Sequence, residues 1–502
     1  MRVTLVLLTI LAVANAGCAT PAEPAQPSPA QANAASLDPS IAHRIGVVPN
    51  TNRARNVILF VGDGMGIATV TASRILAGQR AGGSGEENLL SFERFPHLAL
   101  IKTYNTNAQV PDSAGTATAM LSGRKTRAGV INVAPTLARG DCQRAQRNRL
   151  KMLTRDAEER GLATGIVSTT RVTHATPASA YAVSPDRNYE SDRDIPSDDR
   201  NHCADIARQL TGFDAGDGID VVLGGGYSKF VGQSLGGDRL ADDANLIRDW
   251  MARAPNRRFV STRDDLLAAP LDGQLFGLFS RSHLSFEAQR DVDSAQPSLT
   301  DMTVHALKML EARDSGYLLL VEGGRIDHAH HGALAGLALA ETIEFANAID
   351  AVLARVDTDE TLVLVTADHS HTLSIAGYAA RGNPMLGLVT SVDAAGNTKG
   401  APERAADGQP YTTLIYANGP GAPPTPRERP TPDTGLGAVY QAAIPVGART
   451  LDGAFRGSET HGGTDVALYA TGPWAHLAGG VLEQNAVYHI MRHALGFDAS
   501  SD

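Results

Sequence analysis

Cysteine is nearly absent: three residues in 502 exclude a disulfide scaffold and any thiolate-rich zinc cluster. Lysine is scarce too, with six among the 44 basic residues, and the basic side chains are scattered along a chain of net charge −10. No concentrated cationic surface of the kind that grips a nucleic-acid backbone is therefore expected. Beyond the N-terminus no apolar run is long enough to span a bilayer. Aromatics make up 5% of the chain, yet the apolar share of 43% is ample for a large core and rules out wholesale disorder. Any bound metal must then be held by His and carboxylates.

Residues 1–16 have the features of a secretory signal: Arg2, an apolar run from Val3 to Val13, and the small-x-small step Ala14-Asn15-Ala16. Gly17-Cys18 followed by a Pro/Ala-rich tether also has the look of a lipoprotein start, so cleavage with or without lipid anchoring at Cys18 stays open. Residues 17–50 form a low-complexity leader, and the expected location is periplasmic or secreted. That compartment permits Cys142 and Cys203 to pair, with two free thiols as the alternative.

From residue 51 onward, short apolar, β-branched runs alternate with helical patterns. The runs are Asn56–Val61, Ala163–Val167, Asp220–Leu223, Tyr317–Val321, Thr361–Val365 and Val466–Tyr469. Helical spacing is clearest over Ile67–Ala77, Met302–Arg313 and Ala333–Arg355. The alternation predicts an α/β fold: a large, mostly parallel central sheet flanked by helices on both faces. Residues 378–457, rich in Gly, Pro, Ala and Arg, interrupt the pattern as an insertion.

Ligands in parallel α/β sheets bind beyond the carboxyl ends of the strands. Here Asp63 follows NVILFVG, Glu322 follows YLLLV, and Asp368-His369 follow TLVLVTA. One such acid is ordinarily a helix cap or turn residue. Three at separate strand ends suggest a shared metal site. Asp327 and His331 lie four apart in EGGRIDHAHH, hence on one helical face, and His371 and His461 add imidazoles. Oxygen and imidazole donors suit Zn²⁺, oxygen donors alone suit Mg²⁺, and the number of candidates implies two or three ions. Ser113, in PDSAGTATAM, is either a helix N-cap or, facing such ions, a nucleophile of lowered pKa. It lacks a Gly-x-Ser-x-Gly elbow, which argues against an ordinary serine esterase.

Six segments in order, FVGDGMG, PDSAGTATAMLSG, HATPASAYAVSPDRN, VEGGRIDHAHHG, VTADHSHTLSIAGYAARGN and ETHGGTDVALYA, resemble the alkaline phosphatases, closest to the animal-type branch. The resemblance implies hydrolysis of phosphate monoesters through a phosphoserine on Ser113, with two Zn²⁺ and one Mg²⁺ per subunit. It assigns one zinc to Asp327, His331 and His461, the other to Asp63, Asp368 and His369 beside Ser113, and magnesium to Asp63, Thr176 and Glu322. Arg187 would grip the phosphate, positioned by Asp112. His174 would stand beside the magnesium, while His371 orients Asp327 and His328 belongs to the same supporting layer. The resemblance also implies a Cys142–Cys203 disulfide, a crown subdomain at 378–457 and a homodimer. Ser280 stands where the animal enzymes place a calcium-binding Glu, which puts a fourth metal in doubt. A phosphodiesterase or sulfatase of the same superfamily, or a phosphate-binding protein without catalysis, are the competing readings.

Overall fold

The computed structural model describes residues 41, 45–291, 294–423, 431–444, 447–449 and 455–498. The signal sequence, Cys18 and nearly all of the leader lie outside the described residues. Residues up to Val48 form one unit of the chain, and Pro49–Asp502 form another, which carries the sheet and the helices.

Its centre is a ten-stranded sheet. The strands are β1 (Asn56–Gly62), β2 (His97–Lys102), β3 (Ala163–Arg171), β4 (Val221–Gly225), β5 (Arg257–Val260), β6 (Gln274–Leu278), β7 (Tyr317–Gly323), β8 (Thr361–Ala367), β16 (Val466–Thr471) and β17 (Gly479–Glu483). Between β8 and β16 come β9 (Ser370–His371), β10 (Leu373–Ile375), β11 (Leu414–Asn418), β12 (Ala442–Ile444), β13 (Gly447–Arg449), β14 (Phe455–Gly457) and β15 (His461–Gly462). The large sheet has the order β17-β2-β16-β8-β1-β7-β3-β4-β6-β5. β16 runs antiparallel to both of its neighbours, and the remaining pairs are parallel. Six of these strands match the apolar runs found in the sequence, each running one or more residues further at its carboxyl end, and β4 begins one residue later than read, at Val221. The extension matters, because it puts Glu322 inside β7 instead of beyond it.

Seven helices bear on the site or its frame: α1 (Ile67–Arg80), α2 (Ser113–Ser122), α3 (Leu153–Glu159), α4 (Ala175–Ala178), α5 (Leu299–Glu311), α6 (Arg325–His331) and α7 (Ala335–Leu353). The helical stretch read from Ala333 begins two residues later, and the DHAHH segment makes the separate helix α6. Helix α5 starts at a reciprocal cap: Ser298 Oγ accepts from the Asp301 amide at 3.0 Å, and Asp301 accepts from the Ser298 amide at 3.2 Å. α5, α7 and α1 pack side by side, and Phe345 of α7 meets Phe60 of β1 edge to face at 5.7 Å. α2 packs against α4 and against the C-terminal helix Ala486–Ala494.

β10, β11 and β12 form a small sheet of their own. It carries a second apolar core, in which Leu373, Leu414, Tyr416 and Tyr440 pack with Leu76 of α1 and Leu339 of α7. Cys142 and Cys203 are joined in a disulfide, with Cα atoms 5.2 Å apart, which removes the free-thiol alternative. At Ser280 the structure shows no group of three metal-ligating side chains among the described residues. Its carbonyl instead accepts from the amides of Gly226 and Tyr227, and Arg281 pairs with Asp238 at 2.9 Å.

At the amino ends of β3 and β4 lies a buried acidic pair. Glu158 of α3 accepts the Thr164 hydroxyl, and Asp220 accepts the Thr164 amide at 2.9 Å and meets Arg313 at 2.7 Å. Burial pushes Glu158 up to about 8 and Asp220 up to about 6. Unfolding lets Glu158 titrate near 4.5, so between these values the native chain holds a proton that the unfolded chain releases. Stability from this proton is full below about 4.5 and is lost as pH rises through 8, at up to about 1.4 kcal/mol per unit. Denaturant titrations at pH 5.5 and 8.5 are expected to show a smaller decline with pH for Glu158→Gln. An unchanged decline would remove Glu158 as its source.

Candidate active site

Three adjacent parallel strands, β8, β1 and β7, bring Asp368, Asp63 and Glu322 to their carboxyl ends, and the neighbouring β3 adds the hydroxyls of Ser168 and Thr170. Gly62 of β1 pairs with Ala367 of β8, so Asp63 and Asp368 leave neighbouring strands at the same level. One residue back, Val61 pairs with Glu322, which in turn pairs with Ser168 of β3. Asp63, Glu322 and Asp368 are wholly buried. The chain can turn this tightly because Gly64 has φ +69° and its amide donates to Asp368 Oδ1 at 3.0 Å; a side chain there would run into the His371 ring.

The side chains gather into three groups. In the first, Asp327 Oδ1 is 3.3 Å from both His331 Nε2 and His461 Nε2, and 2.8 Å from His371 Nε2. Asp327 and His331 share one face of α6, whereas His461 comes from β15, which pairs with β9 so that His461 stands opposite His371. The other nitrogen of each ligand ring is committed: His331 Nδ1 lies 2.6 Å from the Glu459 carbonyl and His461 Nδ1 lies 2.7 Å from the Pro111 carbonyl. Each carbonyl requires N–H at Nδ1, leaving both Nε2 lone pairs facing inward. His371 is the exception, with carboxylates at both nitrogens, Asp327 and Glu459. Despite burial they push it up to about 10, toward its charged form.

The second group joins Asp63, Asp327 and His369; His369 Nε2 lies 3.4 Å from Asp63 and also 3.3 Å from Asp368, which stands beside the group. Ser113 faces it, with Oγ 3.1 Å from His369 Nε2 and 3.3 Å from Asp63 Oδ1. Ser113 is not the helix cap. Asp112 is the N-cap of α2, accepting from the Gly115 amide at 3.1 Å, and Ser113 is the first helical residue, with its side chain free to face the carboxylates.

The third group joins Asp63, Glu322 and His174, with Thr176 on α4 beside them. Ser168 and Thr170 both donate to Glu322 Oε2, the latter at 3.0 Å, a pair that sequence reading passed over because they end an apolar strand. Asp63 Oδ2, Glu322 Oε1 and Thr176 Oγ1 are buried with no hydrogen-bond partner among the described residues. Burial, then their neighbours' negative charge, pushes Asp63 well up, and burial pushes Asp368 up and Glu322 up to about 7. Buried carboxylates and orphaned oxygens converging in this way are matched by cations. The imidazole and carboxylate donors of the first two groups fit zinc, and the orphaned oxygens of Asp63, Glu322 and Thr176 in the third fit magnesium.

Asp112 has a second contact: its Oδ2 accepts from Arg187 at 3.1 Å and from the Gly129 amide at 3.0 Å. Burial works against its charge most strongly of any single cause, but Arg187 and the amides of Gly129 and Gly115 together outweigh it and hold the carboxyl below its usual range. Arg187 also reaches His174 Nε2 at 3.2 Å. His328 does not join any of the three groups; it takes a bond from Arg325 at 3.1 Å and packs its ring against His174 and His283.

Comparison with known proteins agrees with this architecture. A family profile described as Alkaline phosphatase matches residues 54–497. An alkaline phosphatase of Gadus morhua is 41% identical over 465 residues, covering 89% of this chain and 92% of its own. The tissue-nonspecific isozyme of Homo sapiens is 42% identical over 466 residues, covering 89% and 84%. Among solved structures, alkaline phosphatase from Thermus thermophilus superposes with a TM-score of 0.64 at 25% identity, covering 90% of this chain and 93% of that one. Fold, site and relatives define a hydrolase of phosphate monoesters. The chain belongs to the alkaline phosphatase family.

Proposed function

We propose that the chain hydrolyses phosphate monoesters by double displacement at Ser113, in a site that takes two Zn²⁺ and one Mg²⁺. Asp327, His331 and His461 would hold one zinc, Asp63, Asp368 and His369 the other, and Asp63, Glu322 and Thr176 the magnesium. A TAB5 alkaline phosphatase mutant of the same fold has been solved with Mg bound in its M3 site. When bound, the ions supply Lewis-acid polarisation and neutralise charge on the oxygens of the reacting phosphoryl group.

The observation that carries this reading is the direction of the buried Ser113 hydroxyl, toward both Asp63 and His369. Arg187, steadied by Asp112, offers its planar fork to two non-bridging phosphate oxygens. Ser113 Oγ gives up its proton to solvent and forms a bond to phosphorus as the alcohol oxygen leaves in line with it and takes a proton from solvent. Water then attacks the phosphoserine, the Oγ–P bond breaks, a proton of that water returns to Oγ through solvent, and inorganic phosphate departs. Binding energy is concentrated on the phosphoryl group, so the alcohol portion is loosely specified.

The zinc- and magnesium-loaded protein is expected to turn over p-nitrophenyl phosphate far faster than bis(p-nitrophenyl) phosphate or an aryl sulfate, and to prefer alkaline pH. A diester or sulfate hydrolysed faster than the monoester would reject the assignment.

The assembly is proposed as a homodimer, with residues 378–457 as the inserted crown. Tyr378 supports this: it is 96% exposed at φ +54°, and Ile375 and Ile444, on the two outer strands of the small sheet, are exposed as well. Light scattering that returned the mass of one chain would contradict it. A periplasmic or secreted location is proposed from the signal-like N-terminus; no described helix is long and apolar enough to cross a membrane. Mass spectrometry of the mature N-terminus distinguishes a free start after Ala16 from lipidation at Cys18.

A further inference from the structure

Glu459 touches two members of the first metal group, His331 and His371, and nothing in the sequence motifs singled it out. It is 1% exposed. Its amide donates to the His331 carbonyl at 2.9 Å, and its own carbonyl accepts from His331 Nδ1 at 2.6 Å. Its carboxylate is fully engaged. Oε1 accepts from the Thr372 amide at 2.6 Å and the Thr372 hydroxyl at 2.5 Å, while Oε2 accepts from His371 Nδ1. Through the far side of that ring, His371 Nε2 donates to Asp327 Oδ1 at 2.8 Å.

We propose that Glu459 is the positioning residue of the Asp327–His331–His461 group, fixing two of the three ligands by separate routes. Its backbone carbonyl sets the tautomer of His331 so that Nε2 carries the lone pair. Its carboxylate anchors His371, and His371 anchors Asp327. The third ligand, His461, stands two residues further along the same chain segment, so the placement of Glu459 also carries His461 toward its partners. Supporting groups of this kind keep donor atoms preorganised, and their loss weakens metal affinity without removing a ligand. The inference rests on the zinc reading of this group.

Glu459→Gln conserves volume and leaves both backbone bonds to His331 in place. Its new NH₂ must face either the donors of Thr372 or the N–H of His371, so at least one arm is broken. Competition with a chromogenic chelator is expected to show zinc at this group held about 10–100-fold more weakly than in wild type. The melting temperature of the metal-stripped variant should stay within a few degrees of stripped wild type. Because the carboxylate acts through His371, Glu459→Gln combined with His371→Gln should hold zinc no more weakly than His371→Gln alone. Thr372→Val, which removes only the hydroxyl arm, should give a smaller loss in the same direction and serves if Glu459→Gln fails to fold.

Wild-type zinc affinity in Glu459→Gln, or losses that add fully in the double variant, would overturn the positioning role. Failure of wild type to take up zinc would instead reject the metal reading beneath it, and this inference with it.

Discussion

Ser113→Ala is expected to lower kcat/KM for p-nitrophenyl phosphate by on the order of a thousandfold or more, the scale seen when a covalent nucleophile is removed. The change deletes one oxygen from a side chain that is 1% exposed, and the fold has no other claim on that oxygen. Asp112 caps α2, so the helix keeps its start, and the hydroxyl gives up only its bonds to Asp63 and His369. The melting temperature should therefore move little while turnover collapses. Acid quenching during turnover of a ³²P-labelled monoester should leave label on wild type and none on the variant. A variant retaining a tenth of wild-type activity, or still trapping label, would exclude the phosphoserine route.

The second large effect is expected on chelation. Asp63, Asp327, Glu322 and Asp368 lie buried together, and in the ion-free chain burial and mutual repulsion disfavour the charged forms of Asp63, Asp368 and Glu322. EDTA should abolish activity and lower the melting temperature. Ions at a thousandfold excess over Kd contribute about 4 kcal/mol per site. The gap should also depend on pH. In the stripped chain Glu322 titrates near 7 against 4.5 when unfolded, so its contribution is present below about 4.5 and is lost as pH rises through 7. Asp63 and Asp368 act in the same sense. Loaded protein keeps these carboxylates ionised and escapes that loss, so the difference in melting temperature should widen from pH 5.5 to pH 8.5. A constant difference, or activity surviving exhaustive chelation, would count against metal-held carboxylates.

How much of the fold and site was legible in the sequence depends on how far each residue's role is local. Strands β1, β7 and β8 are covered on both faces, so they read as unbroken apolar runs, and an acid at the end of such a run is conspicuous. β2 and β17 escaped notice because they lie at the sheet's margin, where the exposed residues Leu98, Leu100 and Val481 are themselves apolar, so residue type does not mark the buried face. β5 is short and half-buried, with two arginines in four residues. Ser168 and Thr170 looked like ordinary β-formers, since their value lies in a neighbour reached only across the sheet. The two readings of Ser113 could not be separated locally, because the choice depends on Asp112 taking the cap. Glu459 was invisible for a different reason. Its partners His331 and His371 are about 90 or more residues away along the chain, and nothing local to it signals them.

The pairing of β9 with β15 has a consequence for what the molecule can tolerate. His371 and His461 stand opposite each other, so the chain that departs after β9 returns one ladder step from where it left. Everything between, the small β10–β12 sheet included, is an excursion closed by the ligand His461 and by His371, which anchors Asp327. Such a closure is nearly indifferent to contour length, since doubling the loop costs only about 0.6 kcal/mol. Parts of the segment outside the small sheet can thus be shortened or elaborated, provided Thr372 and Glu459 are kept and Leu373, Leu414, Tyr416 and Tyr440 still cover Leu76 and Leu339. Variation is channelled into the excursion, and its two anchor points are where a graft would succeed or fail.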